Sequence, residues 1–316
     1  MRLPIVGYGS SVGCGLATPV VRCCGTRPGV PLRKLRSLLG LAVAGAALMT
    51  AAAPVSAITG GDADGEGHPG VAMIVWYEAA GRFRCTATLI SPTVLVTAAH
   101  CTSGAIGKTL VTFDTNASAP LPRAADDLGS GTSAIGYDTT ATYGTSSVTG
   151  TAIPHPNYSN FTDMDNWNDV GVIVLDRPVS GRPLAPLPAP NYLDGYQQPL
   201  LNKTIFTLVG YGTEVRKPES GPQKPVPFGT PRIRRVALLP GQKMTAQIVQ
   251  MNGVIADNRG TGGTCFGDSG GPAYLNGFIV TVTSYGYTDN CRYLGGYQRL
   301  DIPVVRNWLL DILAHH

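Results

Sequence analysis

An all-β chain closed by one C-terminal helix is what the sequence predicts, and three observations predict it. Short runs rich in β-branched and aromatic residues recur between clusters of Gly, Pro, Asn and Ser. Helical periodicity is nearly absent up to residue 300. After Asp301, however, Val304, Val305, Trp308, Leu309, Ile312 and Leu313 return at helical spacing.

The first 57 residues precede the β pattern. They carry six basic residues (Arg2, Arg22, Arg27, Arg33, Lys34 and Arg36) and no acid. Arg33 to Arg36 form a positive flank, residues 38–53 an apolar core, and Val55-Ser56-Ala57 a small-residue cleavage site. Segment 1–57 therefore reads as a leader with a secretory signal. A membrane anchor is the rival reading, since the uncharged stretch nearly spans a bilayer, but Ala, Gly and Thr dilute it. Residues 1–29 lie ahead of the basic flank and hold Cys14, Cys23 and Cys24, which points to a translation start near Val30. Cleavage after Ala57 exposes Ile58 and predicts a secreted, extracellular protein without stable membrane association.

Beyond the leader, residues 71–77, 86–90, 94–97 and 170–175 are apolar, β-branched runs of strand length. Residues 114–150 are dominated by Gly, Ser, Thr and Ala and predict an insertion of loops and weak strands. Residues 177–190, with five prolines, predict an extended crossover. Residues 217–231 predict a second proline-rich surface loop, and 301–316 the closing helix.

Charge narrows the function. Of 24 basic residues six lie in the leader, leaving 18 against 20 acidic ones, so the net charge falls from +4 to −2. No Lys/Arg cluster with interleaved aromatics remains, and nucleic acid is not an expected partner. Four cysteines, Cys85, Cys101, Cys265 and Cys291, stay in the exported part. The even number suits an oxidising compartment, and three pairings are open.

Chemistry concentrates in Gly267-Asp268-Ser269-Gly270-Gly271-Pro272, a hydroxyl among glycines whose backbone N–H groups can approach a reacting carbonyl. Alone, the run also fits the nucleophile elbow of an α/β-hydrolase. That fold needs an acid and a histidine after the serine, where only the terminal His315 and His316 are found. Upstream lie Thr97-Ala98-Ala99-His100-Cys101 and Asn168-Asp169-Val170, giving the order His, Asp, Ser. Taken singly, Asp169 is an ordinary strand-capping acid and Ser269 an ordinary turn residue. His100-Cys101 lacks the further ligands of a zinc site, and Gly107-Lys108-Thr109 lacks the glycine that opens a phosphate loop.

Together the three motifs resemble those of the chymotrypsin-like (trypsin-fold) secreted serine proteases, over nearly all of the chain after residue 57. Its sparse cysteines fit the secreted bacterial members. The resemblance implies two antiparallel six-stranded β-barrels packed face to face, residues 58–185 and 186–300, followed by the helix 301–316. It implies His100 as general base, Asp169 as its orienting acid and Ser269 as nucleophile. The amides of Gly267 and Ser269 become the oxyanion donors. It pairs Cys85 with Cys101 and Cys265 with Cys291. The start Ile58-Thr59-Gly60-Gly61 resembles an activated N-terminus whose α-amino group pairs with Asp268. Gly263 takes the place of the pocket-base residue, and Ser284, Gly286 and Gly295 line the slot, which predicts a sizeable apolar or aromatic residue before the scissile bond. Polypeptide substrates and protein inhibitors are the implied partners, and no cofactor or metal is implied. Some relatives keep the fold and lose the chemistry, so a silent binding module is the alternative.

Overall fold

A computed structural model describes residues 58, 60–139, 146–216, 226–228, 230–254 and 259–316. The leader 1–57 and most of the loop 217–231 therefore lie outside the described residues.

A short strand β1 (Asp62–Ala63) precedes six strands that close on one another: β2 (Val71–Glu78), β3 (Gly81–Leu89), β4 (Val94–Thr97), β5 (Ile106–Thr112), β6 (Ser147–Pro154) and β7 (Gly171–Leu175). Their order around the barrel is β2-β3-β4-β7-β6-β5, every pair antiparallel. The second half contributes β8 (Ile205–Gly210), a hairpin of β9 (Glu214–Arg216) and β10 (Val226–Phe228), then β11 (Arg235–Met244), β12 (Ile248–Asn252), β13 (Pro272–Leu275), β14 (Phe278–Gly286) and β15 (Leu294–Arg299). The sheet β11-β12-β15-β14-β13-β8 closes through pairing of β11 with β8, and β1 adds to the outside of β11. The one α-helix among the described residues, α1 (Pro303–His315), follows β15. The all-β, two-barrel architecture with a terminal helix is thus the one the sequence implied.

Alternation along each strand explains the packing. On β2, Ala72, Ile74 and Trp76 fill the first barrel, while Val71, Met73, Val75 and Tyr77 join a second cluster with Val209 and Tyr211 at the junction with the other barrel. Both faces of β2 are therefore buried, which is why its sequence is a continuous apolar run. On β7, Ile173 and Leu175 point inward, whereas Val172 joins Ile279 and Val282 of the second barrel and Val305 and Leu309 of α1. Within α1 only Val305 and Leu309 are buried, and Val304 is 41% exposed, so the apolar stripe is narrower than the spacing suggested. The second barrel encloses Phe206, Leu208, Leu239, Val249, Met251, Val280 and Tyr297, with the Ile58 side chain fully buried among them.

The crossover touches both barrels: the amide of Ala185 donates to Leu89 O (2.8 Å), and Pro186 O accepts from the amide of Ile279 (3.1 Å). Residues 114–139 of the expected insertion form no named strand, and β6 begins at Ser147. Strand β10 falls inside the expected loop 217–231 and pairs with β9. No helix among the described residues is long and apolar enough to cross a membrane.

Candidate active site

His100 sits on a 3-10 turn, Ala99–Cys101, that leaves the end of β4. The Cys85–Cys101 disulfide ties this turn to β3. Cys85, His100 and Cys101 place their ligand atoms within 4.8 Å of one another, but both sulfurs are consumed by the disulfide and offer no thiolate to a metal. Asp169 lies just before β7, where Asn168 turns the chain at φ 45°.

The two side chains meet. Asp169 Oδ1 accepts from the backbone amide of His100 (2.9 Å), and Oδ2 lies 2.8 Å from His100 Nδ1. The hydroxyl of Ser284 donates to the same Oδ2 at 2.6 Å. Asp169 is fully buried, its own amide donating to Gln298 Oε1 (2.9 Å). A carboxylate only accepts, so this arrangement puts the imidazole proton on Nδ1 and leaves Nε2 with its lone pair outward. Trp167 Nε1 donates to Ser284 Oγ (2.9 Å) and fixes that hydroxyl's direction. The exposed ring of Phe161, at φ 64°, packs 5.5 Å from the His100 ring and 5.2 Å from Trp167.

Ser269 arrives on a tight loop from the other barrel. The amide of Asp268 donates to Cys265 O (2.9 Å), the amide of Gly271 to Asp268 O (2.8 Å) and the amide of Gly270 to Thr283 O (2.8 Å). Gly267 and Gly270 both have positive φ, 99° and 73°. A Cβ on Gly270 would collide with Thr97 Oγ1 and stand 2.7 Å from the amide nitrogen of Ala98, so the loop lies against the end of β4, beside His100. Thr86 on β3 staples it there. Its amide donates to Ser269 O (2.8 Å), its hydroxyl donates to Gly267 O (2.8 Å) and accepts from the amide of Tyr211 (3.1 Å). Among the described residues, the amides of Gly267 and Ser269 make no hydrogen bond and remain available to an incoming oxygen.

Asp268 points away from this opening. Its carboxylate accepts from the amides of Gly212 (2.7 Å) and Cys265 (2.8 Å), and side chains at Gly210 or Gly212 would run into it. Burial pushes its pKa up to about 7, against the pull of those two amides and the Arg84 charge. In the uncleaved chain Ile58 N is a peptide nitrogen, and its carbonyl accepts from the amide of Gly61 at 2.7 Å.

A cavity of about 180 Å³ opens next to Ser269. Ser284, Gly286 and Gly295 line it, with the rings of Phe266, Tyr285, Tyr287 and Tyr293. Gly263 does not: a Cβ there would meet the backbone of Gly253 at 2.7 Å, and Thr264 takes the lining position, bonded to Tyr297 Oη at 2.9 Å. Cys265–Cys291 forms the second disulfide, at one wall of this cavity. Both bridges have the pairing that the resemblance implied. Ser284 serves two places at once, the cavity wall and Asp169, of which only the first was expected. Thr86, Trp167 and Gln298 were not anticipated. Each is one polar side chain in an otherwise apolar or turn-like context, and no local signal marks it.

Comparison with known proteins agrees with this fold. The family model described as Trypsin matches residues 58–309. A trypsin of Phaedon cochleariae is 32% identical over 165 residues, 50% of this chain and 58% of that protein's length. A trypsin of Saccharopolyspora erythraea is 27% identical over 235 residues, 72% of this chain and 86% of its own. Among solved structures, HL collagenase superposes with a TM-score of 0.55 at 17% identity, covering 82% of this chain and 99% of that one. Human heparin binding protein follows at 0.53 and 19%, covering 82% and 98%.

Proposed function

The chain belongs to the trypsin family of serine proteases, and from that membership we propose a secreted endopeptidase that cleaves peptide bonds through an acyl-enzyme on Ser269. The observation that carries the reading is the buried carboxylate of Asp169 holding His100 at both its amide and Nδ1. His100 Nε2 takes the Ser269 proton as Oγ attacks the carbonyl carbon, then delivers it to the departing amine as the C–N bond breaks. Water repeats the cycle on the ester. The amides of Gly267 and Ser269 receive the oxyanion, each contributing a rate factor of about 10² to 10³. Gly286, where a Cβ would meet nothing within 4 Å, leaves the aromatic-walled cavity open, which favours a large apolar or aromatic side chain before the scissile bond.

The leader 1–57 is read as an export signal, with barrels drawn from 58–185 and 186–300, the segment from Ile58 to β1 packing on the second. Release at Ala57 frees the Ile58 amine, whose side chain already sits in the second-barrel core, to pair with Asp268. Export itself then supplies the activating cut. Peptide amides varied only at the residue before the cleaved bond test the reading: hydrolysis strongest for Phe, Tyr or Leu, and absent in Ser269→Ala, is the expected outcome. Absence of hydrolysis by the processed wild-type protein overturns it. The fold-level likeness to human heparin binding protein allows a second reading, a silent module of the same fold. Such a module predicts no turnover and no serine labelling.

A further inference from the structure

A second cavity, of about 110 Å³, lies on the first-barrel side of the serine loop and is lined by Val75, Arg82, Phe83, Arg84, Leu121 and Arg232. Half of these residues are arginines and none is acidic. Arg82 and Arg84 stand on the same face of β3, two residues apart. Arg232 approaches from the segment that leads into β11. Their guanidinium groups meet neutral oxygens: Arg82 donates to Pro122 O (3.1 Å) and also bonds the Tyr137 hydroxyl, and Arg232 donates to Ala117 O (2.8 Å), Ser118 O (3.1 Å) and Ala119 O (2.8 Å). Arg84 Nε is buried without a partner. Three like charges gathered around one small space repel one another, and among the described residues no carboxylate lines it to offset them. Asp268, the acid whose charge Arg84 feels, lies behind the loop and spends its oxygens on Gly212 and Cys265. The exported part carries a net charge of −2, so the cluster is not a sample of a generally basic surface.

Position gives the cavity a role. A Cβ on Gly267 would stand 2.9 Å from Arg84 Nε, so the guanidinium packs against the loop at the Gly267 Cα. The aromatic-walled cavity lies on strands β14 and β15 of the second barrel. Arg84 instead adjoins Cys85, whose disulfide holds the His100 turn. The leaving amine must face His100 to receive its proton, so the departing half of a substrate runs toward β3. An extended chain advances about 3.3 to 3.6 Å per residue, which brings an early side chain to the arginines.

We propose that the arginine-lined cavity binds a substrate carboxylate carried within the first two residues after the scissile bond, making the enzyme selective for Asp or Glu there. The proposal rests on Ser269 being the nucleophile. Quenched fluorescent peptides identical except for Asp, Asn, Glu, Gln or Lys at those two positions test it, with kcat/KM referred to active sites titrated by a serine-directed phosphonate. Acidic peptides are expected to be cleaved about tenfold faster than their amide counterparts, the lower end for a hydrogen bond between charged groups. The margin over Lys is larger still, and high salt narrows it. In Arg84→Gln, and in the double variant Arg82→Gln with Arg232→Gln, the Asp/Asn ratio falls toward one. The ratio is taken within each variant, so partial loss of folded enzyme cancels. A ratio near one in the wild-type protein, or one that survives both variants, overturns the proposal while peptide cleavage leaves the endopeptidase reading standing. No cleavage of any peptide and no phosphonate labelling would remove both.

Discussion

Asp268→Asn in a Ser269→Ala background, which prevents self-cleavage, separates the uncleaved chain from the processed one. The Asp268 pKa is raised from 3.8 to about 7 by burial. Between those values the folded state binds more protons than the unfolded state, so stability falls as pH rises through the window. At about 1.4 kcal/mol per pKa unit, the uncleaved protein loses about 3 kcal/mol of unfolding free energy between pH 5 and pH 8 through this one group. The loss is absent below pH 3.8 and complete above about 7. Asn removes that slope, although it can accept from only one of the Gly212 and Cys265 amides, which costs about 1 to 3 kcal/mol at every pH. In protein cut after Ala57, an Ile58 ammonium beside the carboxylate keeps it ionised and abolishes the slope. There Asp268→Asn leaves a buried cation alone, a loss of about 3 to 5 kcal/mol. Urea unfolding at the two pH values, on both forms with disulfides intact, measures these differences. Equal effects of Asp268→Asn on cut and uncut protein, with no pH dependence in either, would refute the reasoning.

Ser284→Ala takes one donor from the buried Asp169 carboxylate and the acceptor from Trp167; kcat is expected to fall about tenfold, with a stability loss of about 1 to 3 kcal/mol by urea titration. Thr86→Val keeps the shape but removes the bond to Gly267 O and the acceptor for Tyr211 N. Loosening the oxyanion loop in this way should lower kcat by about 10- to 100-fold with KM little changed, a split visible in steady-state kinetics. Replacing Cys85 and Cys101 by Ala opens a bridge with a sequence separation of 16, and thermal or urea unfolding should register a loss of about 3 kcal/mol.

Motif order picks out His100, Asp169 and Ser269 as candidates, because each is embedded in a local pattern of small or apolar residues, and the structure brings His100 and Asp169 into contact. What holds them was not legible. Thr86 acts on Gly267, 181 residues away, and Ser284 on Asp169, 115 residues away; such contacts exist only after two barrels have closed. The strands suffered differently. β2 is buried on both faces, so alternation along it carries no inside-outside signal, and its continuous apolar run was readable as a strand only by composition. β11 contains Pro240 and Gly241, which look like a turn, yet it spans ten residues with a register shift after Gly241. Gly263, expected at the cavity, instead packs on Gly253, and its neighbour Thr264 lines the cavity. A residue offset along the chain cannot say which way a loop turns.

Covalent labelling tests most directly whether His100, Asp169 and Ser269 act as one unit. A serine-directed phosphonate should attach one group per molecule of processed protein, located by peptide mass mapping on Ser269. The labelling rate should fall about 10³-fold or more in a folded His100→Gln variant, since the hydroxyl then lacks its base. Attachment elsewhere, or an unchanged rate in that variant, would contradict the account.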